Sequence, residues 1–189
     1  MVASTGIYEI TGTANAPVYT QLTSARYSLS DNAAPDINNP LVIPTSNFNF
    51  SYWKHHVLNF TGTFTQINNI RWYTDGGIGF NFGTSGKLMV AMMSGGAVGA
   101  PISNGYVNAS GSSTTGVWAM SGHSYYLANV SGQIGNASDF TVSLPLTIDS
   151  TNYATSGYSK ALVTQIAIDD DATQGTQTAE TATFIYDES

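Results

Sequence analysis

Three histidines, a serine next to one of them, and a run of three aspartates are the residues of this chain whose types and spacing suit chemistry. His55 and His56 are adjacent. Neighbours on a strand point to opposite faces, so the two do not readily grip one metal ion, and packing or hydrogen bonding is the ordinary use of such a pair. His123, in SGHSYY, would complete a three-histidine site only through tertiary placement. Ser124 follows His123, but adjacent side chains diverge, and no G-x-S-x-G elbow occurs. Asp169-Asp170-Asp171 runs into Ala-Thr-Gln-Gly. The alternate carboxylates, Asp169 and Asp171, can offer oxygen ligands to Ca²⁺ as a structural clamp. No bidentate Glu follows at EF-hand spacing, and a solvated turn explains the run equally well.

Glu9, Glu180 and Glu188 lie toward the two ends of the chain, with nothing to bring them together at the separation glycoside hydrolysis needs. Tyr52, Trp53, Trp72, Tyr73, Tyr125 and Tyr126 are rings enough for a sugar platform, yet most such rings belong in a core. Sequons at Asn49, Asn59, Asn108, Asn129 and Asn136 are unsurprising in a chain so rich in Asn, Ser and Thr, and do not demonstrate glycosylation. No catalytic or cofactor motif stands out. The expectation is a protein without enzymatic activity or cofactor.

The elements that must position these residues read as strands. No window sustains a 3.6-residue period, while alternation and turn signals recur throughout. Residues 1–16 are expected to be an N-terminal arm or first strand, and 17–189 a single β-sandwich domain of immunoglobulin-like or jelly-roll type. Residues 17–22 and 25–30 both alternate weakly, and further strands are expected there. Residues 31–44 carry three prolines with Asn and Asp, and read as a long ordered loop or an edge segment.

The central stretch runs from Asn47 to Gly83. Phe48, Phe50 and Tyr52 alternate with Asn47, Asn49 and Ser51. The strand continues through 53–60 across a bulge, because the apolar phase slips near the histidines. Ile67, Ile70 and Trp72 share a face around an Asn68-Asn69 corner, and Asp75-Gly76-Gly77 signals a tight turn. Ile78, Phe80 and Phe82 then alternate with small residues. Residues 87–93 read as a buried strand or a helical turn, the flanking Ser-Gly pairs favouring the strand. Strands follow at 117–120, 124–130, 140–146, 161–169 and 178–186, with a long Gly/Ala/Ser-rich loop over 94–116. The clearest alternation sets Leu162, Thr164, Ile166 and Ile168 against Ala161, Val163, Gln165 and Ala167.

Composition bounds the partners. The chain has 189 residues, 42% of them hydrophobic and only 9% charged, so its surface is one of neutral polar groups rather than ion pairs. The net charge is −7, and Arg26, Lys54, Arg71, Lys87 and Lys160 are scattered. Without a basic track, neither nucleic acid nor an anionic membrane surface is an expected partner. The absence of cysteine excludes disulfides, thiolate metal sites and a cysteine nucleophile. No signal peptide is evident behind Met1, and no apolar run suits a transmembrane helix.

The segments FTGTFTQINNIRWYTDGG, from Phe60, and ALVTQIAIDDDATQGTQTAETATFIYDES, from Ala161, resemble all-β structural proteins of tailed-phage virions. The likeness rests on an aromatic strand, then GTFTxIxNIRWYTDG, and a final strand closing in Tyr186-Asp187-Glu188. It implies a non-enzymatic capsid decoration or related head or tail component, located in the virion. Its partners would be capsid or other virion proteins, and it would form a homo-oligomer. The resemblance carries no catalytic residue. An alternative of a different class is a carbohydrate-binding or adhesin-like β-sandwich domain.

Overall fold

A computed structural model describes residues 2–13, 16–52, 54–75, 81–84, 86–92, 134–175 and 179–189. Among the described residues, eleven strands run in chain order: β1 (Ser4–Thr13), β2 (Ala16–Gln21), β3 (Phe48–Phe50), β4 (Lys54–Thr61), β5 (Ile67–Thr74), β6 (Lys87–Met92), β7 (Ile134–Asn136), β8 (Leu146–Asp149), β9 (Gly157–Tyr158), β10 (Leu162–Asp169) and β11 (Ala182–Glu188). The one helical turn among the described residues is 3-10, Ala137–Asp139. Among the described residues, no helix is long and apolar enough to cross a membrane.

The fold is an all-β sandwich. Its large sheet orders β2-β1-β4-β10-β6-β7, with β3 also pairing β10 and β9 pairing β4; its small sheet orders β11-β5-β8. The pairs are antiparallel throughout.

Register decides which side chains meet between the sheets. Glu9 stands opposite His56, and His56 opposite Leu162, so all three share the inner face. Ile10, His55 and Val163 pair in the same way on the outer face. Trp72, Leu88, Val90, Leu146, Ile148, Leu162 and Ile166 join one core cluster, and Leu58, Phe60, Ile67 and Ile70 a second. Each fully buried side chain of this size is worth about 1.5–3 kcal/mol relative to exposure.

The alternation expected for β10 does not become alternating burial. Leu162 to Ala167 are all buried, and β4 is buried from Lys54 to Leu58. The central strands of the large sheet are therefore covered on both faces, the condition under which a strand loses its polar side. Gln165 shows what that demands. Its amide donates to Ser51 O at 2.8 Å, while Ser51 Oγ accepts from Ile166 N at 3.0 Å.

The expected bulge lies ahead of the histidines. β10 pairs Thr164 with Lys54 of β4 and Ala167 with Phe50 of β3, so the pairing register shifts by one residue between the two strands. Through His55 and His56 the β1–β4 register is unbroken. The slip in apolar phase has another cause: Lys54 and His56 occupy inner positions because they have Glu9 as a partner.

The Asn68-Asn69 corner is present. Asn69 has φ +50°, the left-handed region Asn tolerates, and Ile67, Ile70, Trp72 and Thr74 are buried around it. Residues 22–47 contain no strand, so 25–30 is loop. The segment 140–146 is also not a strand. Thr141 and Leu144 bridge across a turn, and β8 begins only after Pro145. The short strands β7 and β9 have no counterpart in the sequence reading. The expected turn at 75–77, the 78–80 alternation, the 94–116 loop and the strands at 117–120 and 124–130 lie outside the described residues, wholly or in their main part.

Candidate functional site

A charged cluster sits inside the sandwich, on the inner face of β1 and β4. Glu9, Lys54 and His56 are 0%, 1% and 6% exposed. Lys54 lies diagonal to Glu9 across the strand pair, and its Nζ donates to Glu9 Oε1 at 2.9 Å and to Asn32 O at 2.5 Å. Glu9 Oε2 faces His56 Nε2 at 3.5 Å, a contact at the limit of hydrogen bonding, and neither atom has another partner. A buried ammonium is tolerable only with a carboxylate and carbonyls around it, which is the environment Lys54 has.

The loop 22–47 closes over this cluster and is fixed by polar contacts. Gly12 N donates to Asp31 Oδ2 at 2.8 Å, Leu22 N to Ile7 O at 2.8 Å, and Ser30 Oγ to Asp36 Oδ2 at 2.5 Å. Burial raises the Asp31 carboxyl above its ordinary value, against the opposing effects of the Gly12 bond and of Lys54. Tyr27 Oη donates to Thr164 Oγ1 at 2.9 Å. Burial pushes the Tyr27 phenol well above its usual range; the Thr164 bond opposes the shift and the Glu9 charge adds to it.

His55 faces the other way. Burial, then the neighbouring His56 and Lys54, hold its pKa down to about 3. The paired histidines thus sit in two different environments. His123 and Ser124 lie outside the described residues, as do Trp53, Tyr125, Tyr126, Asn108 and Asn129.

Between the sheets, beside β11, lies a cavity of about 720 Å³. Its lining includes Leu162, Thr164, Ile166 and His56 from the large sheet, Trp72 and Phe184 from the small sheet, and Tyr27 from the loop.

Asp169, Asp170 and Asp171 bring one carboxylate oxygen each to within 4.8 Å of one another. Asp171 is already engaged: Thr84 N donates to Oδ1 at 2.8 Å and Thr84 Oγ1 to Oδ2 at 2.5 Å, and these bonds lower its pKa. Gly83, at φ +92°, brings the chain against this turn.

Elsewhere the carboxylates are structural ties. Glu188 Oε1 accepts from Ala3 N at 2.7 Å, joining the two ends of the described chain. Buried Asp149 accepts from Lys160 N at 2.8 Å and from Tyr153 Oη at 2.5 Å. Burial and then this bond raise the Tyr153 phenol.

The aromatics divide as well. Trp72 is core, while Tyr52 and Tyr73 are half-buried. A ring group absent from the sequence reading forms on the outer face at the β1–β2 side: Tyr19 stacks on Tyr158 at 4.7 Å, and Tyr8 meets Tyr158 edge-on at 5.7 Å. Asn59 Nδ2 donates to Gly157 O and Asn49 Nδ2 to Val42 O, so both of these sequon side chains are engaged.

The surface also carries exposed apolar side chains. Ile37 is 87% exposed, and Val42 lies on the same loop; Val142 and Leu144 stand on the 141–144 turn, and Val18 on edge strand β2. The Glu9–Lys54 pairing was missed because it links residues 45 apart. A signal did exist: Lys54, His55 and His56 are three ionisable residues in succession at the start of a strand that continues into the apolar Val57-Leu58. No family model, curated protein or solved structure matches this chain.

Proposed function

We propose that this chain is a non-enzymatic structural protein of a virion, most specifically a capsid decoration protein that binds the capsid lattice and forms a homo-oligomer. The observation that carries the reading is where apolar surface is exposed. Ile37, Val42, Val142 and Leu144 project from turns and loops, and Val18 from an edge strand, whereas the polar machinery is buried. Apolar anchors on loop tips suit docking onto a repetitive protein surface, and an open sheet edge suits strand addition. The buried charges Glu9 and Lys54 hold the scaffold that presents those tips. The likeness of residues 60–77 and 161–189 to tailed-phage proteins points the same way.

The test is co-sedimentation of purified chain with virus particles from its source, alongside light scattering for oligomeric state. Ile37→Asp and Leu144→Asp are expected to weaken particle binding about tenfold each without lowering the melting temperature. Unchanged binding in both variants, or no binding by the wild type, overturns the proposal.

One observation favours the carbohydrate-binding alternative, the half-exposed Tyr8, Tyr19 and Tyr158 rings. Under that reading Tyr19→Ala abolishes retention on a glycan array. Retention of no glycan by the wild type ends it.

A further inference from the structure

We infer that the cavity between the sheets is a binding site for a free amphiphilic carboxylate, an anion carrying an apolar chain. Cavities of about 300–1,000 Å³ are the size range of small-molecule sites, and this one measures about 720 Å³. Its chemistry is mainly apolar where β10 and the small sheet line it and cationic where the loop brings Arg26. Leu162 and Ile166 are buried core residues, and the polar groups near them are turned to one another. Thr164 accepts from Tyr27, Lys54 is held by Glu9 and Asn32, and His56 Nε2 faces Glu9. An occupant lying over Leu162 and Ile166 meets mainly carbon, with His56 Nε2, which has no hydrogen bond, also at the lining, and this selects a largely apolar chain over a strongly polar ligand.

The head group is set by Arg26. Among the cations with described side chains, Lys54 pairs with Glu9, Arg71 with Asp187 and Lys160 with Asp149. Arg26 lines the cavity from the exposed loop and has no ion pair among the described residues. In a chain of net charge −7, a free guanidinium at an apolar cavity is a specific recognition element for a carboxylate. Glu180, on the segment leading into β11, also lines the cavity. The head group accordingly sits against the loop and the chain runs inward beneath Trp72 and Phe184. The site is independent of the capsid reading, since none of its lining residues is among the exposed apolar anchors named for docking.

The experiment is isothermal titration calorimetry of the full chain with octanoate, nonanoate and decanoate, all below micelle formation, and with decylamine as the cationic control. Saturable one-site binding is expected, tightening about fourfold per methylene as buried chain grows. Decylamine should bind at least tenfold more weakly than decanoate. Arg26→Gln, an exposed substitution, should remove that preference. Ala25→Trp, on the exposed loop at the lining, should weaken decanoate at least tenfold while circular dichroism stays unchanged. Absence of saturable heat with decanoate overturns the proposal. So does equal affinity for decylamine, or full decanoate affinity in Ala25→Trp.

Discussion

Replacing Glu9 by glutamine should destabilise the protein severely, although the substitution keeps the side chain's shape. Both partners of the Glu9–Lys54 pair have side chains with no solvent exposure. The amide still offers an oxygen to Lys54 Nζ, and Asn32 O remains, but the ammonium loses its counter-charge in a place water does not reach. Breaking a buried pair from one side costs about 3–5 kcal/mol. Against a total stability of about 5–15 kcal/mol, that is a large fraction. Lys54→Met should cost a similar amount, by stranding the Glu9 carboxylate beside His56. The double variant Glu9→Gln/Lys54→Met should cost far less than the sum, because it leaves no unpaired charge; the coupling energy should exceed about 2 kcal/mol. Urea denaturation of the four proteins measures this cycle directly. Additive losses, or a Glu9→Gln cost under about 1 kcal/mol, would refute the view that this pair organises the inner face of β1 and β4.

The remaining expectations concern pH and backbone. His55 titrates near 6.5 in the unfolded chain and about 3 in the folded one, so between those values the unfolded state binds more protons. Stability is therefore lost as pH falls through that window, with His55 contributing a slope of up to about 1.4 kcal/mol per pH unit. Urea midpoints from pH 7 to pH 4 should fall less steeply for His55→Gln than for wild type, and parallel curves would contradict this. Gly83→Ala should lower the melting temperature by about 4–8 °C: the position has φ +92°, and an added Cβ would collide with Asp171 Oδ1 and lie 2.6 Å from Asp169 Cβ. Asn69→Val, forcing a β-branched residue to φ +50°, should cost about 1–3 kcal/mol in urea denaturation, while Asn69→Gly should be close to neutral.

Local pattern reveals part of this fold. The corner at Asn68-Asn69 is readable because β5 keeps one face inward and Asn marks the left-handed residue. The ends of β4 and β10 follow from Gly62 and from the aspartate run. What pattern does not reveal is coverage of both faces. In β10, apolar residues at odd and even positions alike are buried, and Gln165 is buried among them with its amide nitrogen donating to Ser51 O and its Oε1 without a hydrogen bond. Alternation in a sequence reports pleat, whereas burial depends on which segments lie across each face. The expected strand at 140–146 failed for a related reason: Val142 and Leu144 have strand-forming side chains but sit exposed on a turn ahead of Pro145.

The site is legible to a smaller extent. Adjacent histidines on one strand already imply two environments, and the structure provides an inner and an outer one. That Glu9 completes the inner environment is a matter of register between β1 and β4, and nothing local in GIYEITG marks its partner. The same is true of the cavity, whose lining draws on β4, β5, β6, β10, β11 and the 22–47 loop.

The central claim is that this chain acts by assembling on a virion surface. Electron microscopy of virus particles purified from the source of the chain, labelled with gold-conjugated antibody against it, tests that claim most directly. Regularly spaced label on the capsid, lost from particles lacking the protein, is the predicted result. Unlabelled particles, with all of the protein recovered as a soluble monomer, would contradict it.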